Sequence, residues 1–69
     1  MAYNYFRTIY IENTFSAGLA VGSLRSFLAG QNAGNVNVGR AEGDHVEIEI
    51  CTYNSMVMSY AEEKLAPFV

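Results

Sequence analysis

The sequence predicts an α+β domain of order β-α-β-β-α, a three-stranded antiparallel sheet with both helices on one face. Three observations predict it. Residues Asp44 to Thr52 alternate strictly between polar and apolar, the period of a half-buried strand. Between Ala17 and Leu28 the apolar residues recur at helical spacing. Turn-forming clusters, Gln31-Asn32-Ala33-Gly34 and Glu42-Gly43-Asp44, punctuate the chain between these stretches.

Tyr3 to Glu12 reads as the first strand, rich in Tyr, Phe, Thr and Ile and free of breakers. One face carries Tyr3, Tyr5, Arg7, Ile9 and Ile11; the other carries Asn4, Phe6, Thr8, Tyr10 and Glu12. Isoleucine is buried far more often than tyrosine, so Ile9 and Ile11 are assigned to the core. Arg7 then lies on the inner side near a strand end, its stem on apolar surface and its guanidinium in water.

Asn13, Thr14 and Ser16 offer N-caps for a first helix reaching Ala29, with Gly30 as its left-handed terminator. Ala17, Ala20, Val21, Leu24, Phe27 and Leu28 form its apolar stripe. Gly18 and Gly22 fall off that stripe, each costing about 1 kcal/mol against alanine. The expectation is that they let the helix approach a neighbour within the chain closely; the sharper reading is a groove for a helix from another chain.

Asn35 to Arg40 is the second strand, with Val36 and Val38 facing inward. A three-residue turn at Glu42-Gly43-Asp44 pairs Val38 with Ile48 and Val36 with Ile50. A two-residue turn at Gly43-Asp44 would set Val38 against Glu49 and mix the faces. On the third strand Val46, Ile48, Ile50 and Thr52 point to the core, and His45, Glu47, Glu49 and Cys51 point away. Two ionised carboxylates cannot be buried unpaired, so that face meets solvent or a partner. Asn54 or Ser55 caps a last helix ending before Pro67. Val57, Ala61 and Leu65 form its buried stripe, flanked by Met58 and Tyr60, while Ser59, Glu62 and Glu63 face outward. Phe68 and Val69 are expected to pin over the core edge.

The right-handed crossover rule favours strand order 2-3-1, the ferredoxin-like arrangement without its fourth strand. The first strand is left with an open edge, Thr8, Ile9, Tyr10 and Ile11. An exposed apolar edge is a liability unless covered, and a second copy paired across a two-fold axis is the expected cover. Of Thr8 and Tyr10, one is expected to direct its backbone donor outward and the other to pair with the central strand.

A chain of 69 residues is one domain, 1–69, burying about 60% of the surface its unfolded form exposes. One cysteine excludes an internal disulfide, and one histidine with one cysteine is too few for a structural zinc. Oligomerisation is therefore favoured. A 51% apolar, 16% charged composition is that of a folded chain. The N-terminus, Met-Ala-Tyr-Asn-Tyr-Phe-Arg, does not resemble a signal peptide, and Thr14 to Gly30 is too short and interrupted to span a bilayer. With the lone cysteine, this predicts a cytoplasmic location and no membrane association.

The net charge of −3 is unevenly distributed. Residues 1–41 hold three arginines against Glu12, a net of +2, while residues 42–69 hold six acidic residues against Lys64, a net of −5. Phosphate binding needs the opposite bias, so direct nucleic-acid binding is not expected, and the acidic half suits a protein partner with a basic surface. His45 and Cys51 lie about 20 Å apart along one strand and cannot form a nucleophile–base pair. His45 with Glu47 gives only two metal ligands, and Glu47 with Glu49 has no pocket to raise either carboxyl for acid–base work. No catalytic residues, metal or cofactor are expected. What stands out is the open face: Phe6, Thr8 and Tyr10 beside Glu47 and Glu49, with Asn35, Asn37 and Gly39 beyond.

No motif identifies a family. The size, acidity and lack of catalytic machinery are of the kind seen in small phage-encoded inhibitors such as anti-CRISPR proteins. That likeness of type implies a non-enzymatic module occluding a basic surface of a host nucleic-acid-handling complex. The alternative is a ferredoxin-like ligand-binding or enzymatic subunit whose pocket, containing His45 or Arg7, forms between protomers.

Overall fold

A computed structural model describes residues 2–69. The elements are β1 (Tyr5–Glu12), α1 (Phe15–Gly30), β2 (Gly34–Glu42), β3 (His45–Thr52), α2 (Ser55–Leu65) and a short 3-10 turn (Ala66–Phe68). The fold is α+β, with an antiparallel sheet in the order β1-β3-β2 and the alternating strand in the centre. β1 starts at Tyr5 rather than Tyr3. β2 runs further in both directions than the sequence suggests.

Each helix begins at a side-chain cap. Thr14 Oγ1 accepts from Ala17 N at 3.2 Å and Asn54 Oδ1 from Val57 N at 2.8 Å, satisfying donors that no helical carbonyl reaches. Gly30 is not the left-handed terminator. That conformation falls to Asn32 at φ 51, with Ala33 N–H donating to Leu28 O at 2.9 Å and Asn32 N–H to Ala29 O at 3.1 Å. This is a Schellman closure in which asparagine, tolerant of the left-handed region, takes glycine's usual place.

Ile11, Val36, Ile48 and Ile50 of the sheet pack against Ala17, Val21, Leu24 and Leu28 of α1 and Met58, Ala61 and Leu65 of α2. Three stripe assignments shift. Met58 is buried and Val57 only half-buried. Phe27 is 45% exposed, its ring 5.0 Å from that of Tyr60 at the helix–helix margin. Val38 faces inward by register yet is 53% exposed, because the facing part of α1 presents Gly18 and Gly22. Those glycines serve no close approach: a Cβ on either would meet nothing within 4 Å. They line an open groove of about 250 Å³ with Val21, Arg25, Val38 and Val46. Arg7 lies on the inner side as expected, exposed and 3.6 Å from Glu62, which is half-buried rather than outward. Phe68 packs on the core while Val69 is exposed.

The turn between β2 and β3 differs from the expected one. Val38 does pair with Ile48 and Val36 with Ile50, but Ala41 pairs with Val46 and Glu42 with His45, leaving a two-residue turn at Gly43-Asp44. A β-bulge between Val38 and Ala41 absorbs the extra residue, so Gly39 and Arg40 together oppose Glu47. Gly43, at φ 61, fills the first turn position, where a tight hairpin requires a glycine-type conformation.

Asn13 N–H donates to Asp44 O at 2.7 Å, and Tyr53 N–H to Ala33 O at 3.2 Å. These bonds set the phase of both ladders, because backbone groups alternate in direction residue by residue. Tyr5, Arg7, Ile9 and Ile11 turn theirs to β3; Phe6, Thr8, Tyr10 and Glu12 turn theirs to the open edge. Thr8 and Tyr10 are two apart and share a direction, so both point outward, contrary to expectation.

Candidate functional site

The helices cover one side of the sheet. On the other, the pairing registers lay side chains out in rows: Phe6–Cys51–Asn35, then Thr8–Glu49–Asn37, then Tyr10–Glu47 with Gly39 and Arg40, then Glu12–His45–Glu42. Phe6, Thr8, Tyr10, Glu47 and Glu49 are thus brought together on one surface. Ile9 and Ile11 face the core as assigned, and their backbone groups, counted with the open edge, turn to β3 instead. Phe6 is 63% and Tyr10 58% exposed.

The polar groups of this face hold one another in place. Tyr10 Oη donates to Glu47 Oε2 at 3.4 Å and Asn37 Nδ2 to Glu49 Oε1 at 3.3 Å, while Asn35 Nδ2 donates to Asn37 Oδ1 at 3.1 Å. Glu47 lies across Gly39 so closely that a Cβ there would overlap its Oε1. The missing side chain at position 39 therefore makes room for the carboxylate.

Cys51 belongs to this face by register but is buried, 4% exposed, between Phe6 and Asn35. Burial pushes its thiol up, and the Glu49 charge and a hydrogen bond to Glu49 push it further. A nucleophilic cysteine needs the reverse. His45 lies at the far end of the strand. Among the described residues no three His, Cys, Asp or Glu side chains come together as a metal site would require.

Arg40 is the residue that sequence reasoning missed. Uninterrupted alternation would send it to the inner face with Val38; the bulge turns it outward. There it lines an open basin of about 810 Å³ with Tyr10, Glu42, His45 and Glu47. The signal that could have found it is Gly39, since glycine inside a strand often marks a bulge. The surface can offer aromatic faces and carboxylates to a partner's cations, with one guanidinium at its end. No helix among the described residues is long and apolar enough to cross a membrane. No protein-family model, curated protein or solved structure matches the chain.

Proposed function

We propose that this chain is a small, non-enzymatic protein-binding module whose outer sheet face occludes a basic surface of a nucleic-acid-handling protein. One observation carries the reading: two exposed aromatics, Phe6 and Tyr10, stand in register beside Glu49 and Glu47 on a face that no helix covers. Aromatic anchors give binding energy, and carboxylates steer and select a cationic partner. The hydrogen bonds among Tyr10, Asn37 and the two glutamates reduce the ordering cost on binding. An inhibitor of anti-CRISPR type fits this description.

The test is capture of a partner from the native host with wild type and with the Glu47→Lys, Glu49→Lys double variant, at low and high salt. A basic protein held by wild type, lost in the variant and weakened by salt supports the reading. Equal capture by both forms, indifferent to salt, places the interface elsewhere.

The basin holding His45 and Arg40 favours a second reading, a ligand-binding subunit whose pocket is completed by another protomer. A small molecule that protects His45 in the assembled oligomer, with no protein captured, would select it.

A further inference from the structure

The sheet has two free edges, and they are treated differently. On β2, the bulge at Gly39-Arg40 breaks the ladder, and Arg25 Nε reaches from α1 to the Val36 carbonyl at 3.0 Å. Both devices discourage pairing. β1 has neither. It is regular from Tyr5 to Glu12, exposed apart from Ile9 and Ile11, and no strand pairs on its outer side among the described residues. The N–H and C=O groups of Phe6, Thr8 and Tyr10 point out from it.

We infer that β1 pairs antiparallel with β1 of a second copy about a two-fold axis at Thr8, joining two three-stranded sheets into one of six. This inference does not depend on the proposed function. The register follows by elimination. Only pairings that keep outer-face residues opposite outer-face residues preserve both faces, so the axis passes through a residue. An axis at Arg7 would set two guanidinium groups opposite each other, which is destabilising. An axis at Ile9 would set Phe6 against Glu12 of the second copy, and one at Tyr10 would leave Tyr5, Phe6 and Arg7 unpaired. The axis at Thr8 sets Phe6 against Tyr10 of the second copy on both sides of a Thr8–Thr8 pair, and Arg7 against Ile9. Aromatic pairs and threonine pairs are favourable cross-strand neighbours, and no like charges meet.

The inner face is compatible. α2 lies over β1 and β3, contributing Met58, Ala61 and Leu65 to the core and Glu62 to the ion pair with Arg7. The two copies of α2 would be separated by two strand spacings, about 10 Å. Packed helices sit roughly 8–10 Å apart. The Arg7–Glu62 pairs then flank the axis. On the outer side, the Phe6 and Tyr10 rings form a continuous strip between two acidic central strands.

The test combines sedimentation with cysteine cross-linking on a Cys51→Ala background. Wild type sediments as a dimer at micromolar concentration. Thr8→Pro removes an outward donor, giving a folded monomer by circular dichroism, whereas Ile9→Pro removes a donor used by β3 and loses the fold. Thr8→Cys places two Cα atoms roughly 5.5 Å apart, within disulfide range, and cross-links under mild oxidation. Tyr10→Cys sets its pair about 14 Å apart and does not. A wild-type monomer with freely exchanging Phe6, Thr8 and Tyr10 amides overturns the inference. So does a dimer that survives Thr8→Pro, or one that cross-links at Ile9→Cys or Tyr10→Cys in preference to Thr8→Cys.

Discussion

Replacing Gly18 and Gly22 with alanine should make this protein more stable. Both lie inside α1, where glycine costs about 1 kcal/mol relative to alanine through backbone entropy. That gain would be lost if the new methyls struck a neighbour, but the space around each is open to 4 Å. The two substitutions sit one turn apart without touching, so the double variant should gain about 2 kcal/mol. For a domain this small each kcal/mol moves the melting midpoint by about 4–8 °C, giving a rise of about 8–16 °C. Urea denaturation should show a higher midpoint with an unchanged slope. The added methyls would also begin to shield Val38 across the groove. A double variant no more stable than wild type would mean that something packs against these two positions and that the groove beside them is not open.

Other substitutions test the face assignments and the turns. Ile48→Ala in the central strand should cost about 2–5 kcal/mol in chemical denaturation, while Glu49→Ala, one residue on, should stay within about 0.5 kcal/mol of wild type. The Cys51 thiol is raised in the folded state, so folding favours the protonated form. Stability from this group is full below the unfolded thiol's value of about 8.5 and is lost as pH rises beyond it. Cys51→Ala should flatten that alkaline decline in a pH series of melts, and wild type should alkylate slowly at neutral pH. Asn32→Val should destabilise by more than 1 kcal/mol, since about that much strain accompanies a β-branched residue in the left-handed region, whereas Asn32→Gly should be tolerated.

The central strand was legible because its alternation is unbroken from Asp44 to Thr52, and a half-buried strand admits no other period. From it followed the inner pairing of Val36 and Val38 with Ile50 and Ile48, and the five residues gathered on the outer face. The turn was not legible. Alternation fixes the sidedness of Val38 and of Ile48, but a bulge adds a residue without changing either. Gly39-Arg40 carries no hydrophobic side chain to show where the phase slips, and Arg40 was lost to the outer face for that reason. The role of Gly18 and Gly22 was hidden for a different reason. Small residues on a helix fit equally a tight contact and an empty groove, and only the path of α1 over the sheet decides. Val38 is left half uncovered by the same path. Cys51 shows the limit of sidedness itself: a side chain can belong to the open face and still be buried by its larger strand neighbours.

The most direct test of the outer face as the working surface is hydroxyl-radical footprinting of the captured complex, compared with the protein alone. Phe6 and Tyr10 are exposed on that face, and Phe15 and Leu19 are exposed on α1, so one experiment reads both sides. The partner should shield Phe6 and Tyr10 and leave Phe15 and Leu19 as reactive as before. Shielding of Phe15 and Leu19, with Phe6 and Tyr10 unchanged, would rule out the outer face as the working surface.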